Sequence, residues 1–147
     1  MQTFLPEYTI EKSLRHLDDK RLGKQRVEAM QLVNCHERLQ AARLTDPDAR
    51  VPWCRHPAYI MWSENIPALK WYHNLAIDEW ERRGFRNTMT RYRGVGPHVR
   101  LPEWWYDHRM REVVRTHRAN LMRKEPLHYI QYGWKCDVTS PYYWPTP

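Results

Sequence analysis

A chain of 147 residues with 24 Lys and Arg against 17 Asp and Glu, a formal net charge of +7, is sized for one domain, residues 1–147, around a single core. The positive charge is spread along the chain rather than gathered in a tail, which favours a polyanionic partner, nucleic acid first. No stretch approaches the roughly 18 uninterrupted apolar residues of a membrane span, and MQTFLPEY lacks the basic and apolar regions of a secretory leader, so a soluble cytoplasmic protein without membrane partners is expected.

In chain order, Thr9 is a candidate N-cap for an amphipathic run from Ile10 to about Ala42, with Asp18–Asp19 as a candidate interruption. On a helical wheel Leu22, Ala29, Met30 and Val33 share one side, while Arg21, Lys24, Glu28 and Cys35 lie on a different arc. Arg26 falls close to the apolar stripe, which predicts a structural ion pair or a snorkelling stem for it rather than a ligand contact. LTDPDARVPW is rich in turn formers and ends this helix in a loop. A second helical region begins at RHPAYIMW with Pro57 in its first turn, is broken or restarted by Pro67, and closes with Gly84 as a C′ residue.

Trp53, Trp62, Trp71 and Trp80 recur every nine residues. Nine helical steps amount to about two and a half turns, so successive rings point to opposite sides, a packing pattern rather than a repeat unit. RYRGVGPHVRLPEWW is a basic, Gly/Pro-punctuated loop whose GVG is too weak to mark a phosphate site. A third helix is predicted from Tyr106 or Asp107 to Lys124, stopped by Pro126, and the remaining tail is aromatic, Pro-rich and irregular. No strand pattern occurs. The fold class predicted is all-α: a compact single domain of three main helices with long loops.

The eight Trp and nine Tyr against two Phe suit half-buried core positions and also surfaces that stack on bases. Cys35, Cys54 and Cys136 are odd in number and far apart, which predicts reduced thiols rather than a disulfide framework or a metal site. The eight histidines lack HExxH-type spacing, so neither a metal nor a cofactor is expected.

Three blocks resemble the phage and bacterial pyrimidine-dimer DNA glycosylases of the endonuclease V type. LDDKRLGKQRVEAMQLV carries D-x-x-L-x-x-x-x-x-E, HPAYIMWSENIPALKWYHNLAIDEWERRGF is similar to the family's second helix, and PLHYIQYG keeps P-x-x-Y-x-x-Y-G. The blocks cover about half the chain in the family's order. The resemblance implies a mostly helical fold, a phage or bacterial source, and a monomer that needs no metal. It also implies action on double-stranded DNA with damaged bases, in which glycosidic cleavage is followed by β-elimination at the abasic sugar. Glu28 then falls on the catalytic glutamate, and the nucleophile is the chain's terminal α-amine. An α-amine titrates near ~7.7–8.0, well below a lysine, so a useful fraction is unprotonated at neutral pH.

Gln2 is expected to hinder removal of the initiator methionine, which assigns the amine to Met1, with Thr3 the minor option after loss of two residues. DNA contacts implied by the resemblance and the charge pattern are Gln2, Lys20, Arg21, Lys24, Gln31, Arg118, Arg123, Lys124, Tyr129 and Tyr132. The family has a histidine where Arg21 stands, arginines at Val27 and Gln31, and a tryptophan at His128. Arg21 keeps its charge, Gln31 offers a neutral hydrogen bond, and Val27 cannot serve. Two other readings remain open at this level: a DNA-binding protein that lost the chemistry, and an N-glycoside or base-modification enzyme with another nucleotide substrate.

Overall fold

In the computed structural model, which describes residues 1–147, all regular structure is helical. The elements are α1 (Ile10–His16), α2 (Asp19–Arg43), α3 (Pro57–Ile60), α4 (Ile66–Arg82), α5 (His108–Lys124) and α6 (Pro126–Tyr129), with 3-10 turns at Glu103–Tyr106 and Ile130–Tyr132. The three long helices, α2, α4 and α5, are the three expected. No helix is long and apolar enough to cross a membrane.

The caps explain the boundaries. Thr9 Oγ1 accepts the Lys12 N–H at 3.2 Å to start α1, and Leu17 takes extended backbone to end it. Asp18 restarts the chain as α2 by accepting the Arg21 N–H at 3.3 Å. Its own N–H donates to the Tyr129 hydroxyl at 3.1 Å, so the C-terminal tail secures the break. Pro67 lies in the first turn of α4, where no N–H is missed, and Gly84 follows the helix with φ 89°, a conformation that favours glycine.

α2 lies along α4, and α1 meets α4 as well. Leu22, Ala29, Leu32, Val33 and Leu39 of α2 enter a core shared with Leu69, Tyr72 and Ala76 of α4, Val113, Val114 and Leu121 of α5, and Trp62 and Trp104. Each such aliphatic side chain contributes about 1.5–3 kcal/mol on burial. Gly23 sits mid-helix because Trp80 packs on it: a Cβ there would meet the indole at 3.0 Å. Arg26 covers the same indole at 4.3 Å and donates to Asn87 Oδ1 at 2.8 Å, a structural role as expected, but through a ring and an amide in place of an ion pair.

The cysteine expectation is overturned. Cys35 on α2 and Cys54 in the 51–56 turn are joined by a disulfide, their Cα atoms 5.9 Å apart, and Cys136 alone is free. The bridge depends on the α2–α3 loop folding back onto α2, a tertiary return that cysteine count and spacing do not reveal.

The first five residues form an irregular segment, buried from Gln2 to Leu5, that has no strand beside it. Buried backbone donors need partners, and here side chains supply all four. Gln2 N–H donates to Glu28 Oε2 at 3.0 Å, Thr3 N–H to Gln2 Oε1 at 2.9 Å, Phe4 N–H to Gln25 Oε1 at 2.8 Å and Leu5 N–H to His117 Nδ1 at 2.9 Å. Trp62 Nε1–H donates to Thr3 Oγ1 at 2.8 Å, and the Tyr72 hydroxyl donates to the Phe4 carbonyl oxygen at 2.9 Å.

Burial pushes His117 down to about 3, and its Nδ1 can accept the Leu5 N–H only when that nitrogen is unprotonated. The unfolded chain therefore binds a proton that the native state refuses. The stability this histidine contributes is fully present above its unfolded value of about 6.5 and is lost, at about 1.4 kcal/mol per pH unit, as pH falls toward 3. His117→Gln keeps an acceptor for Leu5 but removes the titration. Urea unfolding between pH 6 and 4 is expected to show a slope shallower by about 1 kcal/mol per pH unit in this variant, and parallel profiles would reject the assignment.

Candidate active site

One arc of α2 carries a line of charged and amide side chains. Arg21, Lys24, Glu28 and Gln31 follow at spacings of three and four, and Asn34 and Arg38 continue the stripe. The N-terminal segment delivers Met1 to the middle of that stripe, because the Gln2 N–H is held by the Glu28 carboxylate one residue from the terminal amine. Glu28 is half-buried and, rather than pairing with Lys24, receives a backbone donor.

Around this contact lies a cavity of about 210 Å³, lined by Met1, Gln2, Lys20, Arg21, Lys24, Glu28, Lys124 and Tyr142, with Phe4 and Gln25 behind them. Its rim is cationic. Arg21 is partly neutralised, with Nη1 3.3 Å from Asp18 and 3.7 Å from Glu125. Lys20, Lys24 and Lys124 are exposed, so a phosphate backbone laid across the opening meets three lysines with a single carboxylate at the centre.

Two residues that the sequence did not single out for the site are present. Tyr142 reaches the cavity from the C-terminal tail, packed against the rings of Phe4 and His117 at 6.2 and 5.6 Å, and burial pushes its hydroxyl up to about 12. His56, the N-cap of α3, accepts the Ala58 N–H on Nδ1 at 3.0 Å. Burial lowers its pKa, the charge of the chain-terminal amine lowers it further, and Glu28 opposes. His56 borders the site through its ring contacts with Trp53 and Trp144. Neither residue belongs to a motif that would mark it; only the return of the tail and the 51–56 turn brings them in.

Of the twelve residues expected at the site, Met1, Gln2, Lys20, Arg21, Lys24, Glu28 and Lys124 meet at this one cavity. Gln31 lines an adjoining one that also includes Met1. The other four are engaged elsewhere. Arg118 donates to the Pro6 carbonyl oxygen at 2.7 Å and to Glu7 at 2.9 Å, and covers the Trp134 ring at 5.2 Å. Arg123 holds Val138 O and Asn120. Tyr129 is fully buried on Asp18. Tyr132 stacks on His16 with centroids 4.1 Å apart, so the tail aromatics stack on one another.

The family model described as pyrimidine dimer DNA glycosylase matches residues 1–93, which take in Met1, Glu28 and the helices α1 to α4. The block PLHYIQYG, with Lys124 and Tyr142, lies beyond that match. No curated protein and no solved structure matches the chain.

Proposed function

Because the chain belongs to the pyrimidine dimer DNA glycosylase family, whose substrate is DNA and whose work is repair, we propose that it removes damaged pyrimidines and then cleaves the strand as an abasic-site lyase. The observation that carries this reading is the Gln2 N–H to Glu28 contact, made one residue from the terminal amine, at a cation-rimmed cavity that Met1 and Glu28 both line.

The steps follow from that pairing. The unprotonated Met1 amine attacks the sugar C1′; the C1′–N bond breaks, and the base leaves with the bonding pair and takes up a proton. Ring opening transfers a proton to O4′ and gives a cationic imine between C1′ and the Met1 nitrogen, which the Glu28 carboxylate stabilises from beside it. Loss of a C2′ proton, with Glu28 as the base, expels the 3′ phosphate, and water hydrolyses the imine to return the amine. Lys20, Lys24 and Lys124 hold the flanking phosphates, while Arg21 combines phosphate contact with its bond to Asp18. Thr3 is fully buried with its hydroxyl held by the Trp62 Nε1–H, whereas Met1 lines the cavity, which favours Met1 over Thr3 as the amine.

Incubation with irradiated and abasic duplexes, with and without borohydride, tests the whole reading. A nicked product is expected without borohydride, and a protein–DNA adduct mapping to the Met1 nitrogen with it. An adduct on a lysine, or none, would reject the proposed nucleophile.

A further inference from the structure

Trp53 is unexplained by packing. It is the one non-glycine residue with positive φ, 71°, and it leaves 57% of its surface exposed. Bulky residues avoid this backbone region, and such outliers gather at ligand contacts where the surrounding structure enforces them. Enforcement is visible here: the next residue, Cys54, is bridged to Cys35 of α2, and the His56 N–H donates to the Trp53 carbonyl oxygen at 2.9 Å.

The indole borders a second cavity, about 250 Å³, that has Met1 on one side and Gln31, Asn34 and Arg38 of α2 on another. Its ring centroid is 5.9 Å from His56, which in turn meets Trp144 edge-on at 5.7 Å. The cavity thus offers a broad π face, two amides that each both donate and accept, and a guanidinium. A simple anion has no use for the indole, and an apolar ligand would strand the amides. A planar heterocycle with a mixed donor and acceptor edge satisfies all of them, as flipped bases are held in other enzymes that work on DNA.

The geometry points to Trp53 as a stacking platform for a nucleobase displaced from the duplex beside the reacting sugar, held in position by the Cys35–Cys54 bridge. This rests on the amine at Met1 being the reacting group, since Met1 is the wall common to both cavities. Gln31 and Asn34 then read the edge of the displaced base, and Arg38 meets its carbonyl or phosphate oxygens.

The test uses duplexes holding a tetrahydrofuran abasic analogue, with 2-aminopurine placed 5′ to it, 3′ to it or opposite. Trp53→Gly keeps the backbone conformation and removes the ring. Wild type is expected to quench the probe at one of the three positions, which names the base that moves. Trp53→Gly should lose that quenching and bind roughly 5- to 150-fold more weakly, the range that stacking of one base supports, with its thermal midpoint not lowered. Trp53→Phe should recover most of the affinity. Reducing the disulfide should weaken wild type but leave Trp53→Gly unchanged; equal losses in both would overturn the positioning role of the bridge. Affinity and fluorescence in Trp53→Gly matching wild type at all three positions would overturn the stacking role. Borohydride trapping of wild type on natural abasic duplex runs alongside. Its failure would count against the amine chemistry, whereas successful trapping with no Trp53 effect would count against the platform alone.

Discussion

Glu28→Gln is expected to leave a folded protein that binds abasic duplex with nearly wild-type affinity and turns it over about 10²- to 10⁴-fold more slowly. The amide oxygen of glutamine can still accept the Gln2 N–H, so the N-terminal segment stays in place. What disappears is the negative charge beside the imine and the base for the C2′ proton. Single-turnover cleavage under saturating protein, with binding measured by fluorescence anisotropy, separates the two effects. Turnover within about threefold of wild type would remove Glu28 from the mechanism. A parallel loss of binding and turnover would instead make it a structural anchor of residues 1–5.

Blocking the terminal amine has the largest effect expected of any change. Acetylation of Met1, or a short Gly-Ser extension before it, should abolish both borohydride trapping and strand cleavage. The fold has no stake in that amine: the backbone bonds of the segment begin at Gln2, and Met1 is only half-buried at the cavity wall. Thermal unfolding should therefore be unchanged, which distinguishes a missing nucleophile from a damaged fold. Residual trapping in the blocked protein would redirect attention to the neighbouring lysines, Lys20 and Lys24 first.

The sequence made the helices legible because their ends are written in local chemistry. Thr9, Pro57, Gly84 and Pro126 each act within a few residues, and Asp18–Asp19 stood out as a candidate interruption of an amphipathic run, which the Asp18 cap accounts for. The arc of Arg21, Lys24 and Glu28 was equally readable, since helical spacing alone decides it. The sequence did not disclose which distant segments come to lie against that arc. Tyr142 reaches the cavity from the last quarter of the chain, and Cys54 finds Cys35 through a loop whose path no local pattern encodes. The tail illustrates the converse. Its aromatics satisfy one another and His16, and Tyr129 is spent on Asp18, because a chain with few aliphatic residues there uses rings as core.

The bond from Leu5 to His117 spans 112 residues and that between Phe4 and Tyr72 spans 68, against 21 for Phe4 to Gln25. During synthesis the N-terminus emerges first, yet its last fixed backbone donor finds a partner only after α5 has left the ribosome. On the proposed mechanism the reactive end is thus the oldest part of the polypeptide, and the contact that closes its segment, Leu5 to His117, is one of high sequence separation that forms slowly. A nascent or truncated chain lacking α5 keeps the contacts to Glu28, Gln25, Trp62 and Tyr72 but leaves the buried Leu5 N–H without its acceptor. On the proposed mechanism, complete seating of the segment that bears the amine waits for α5.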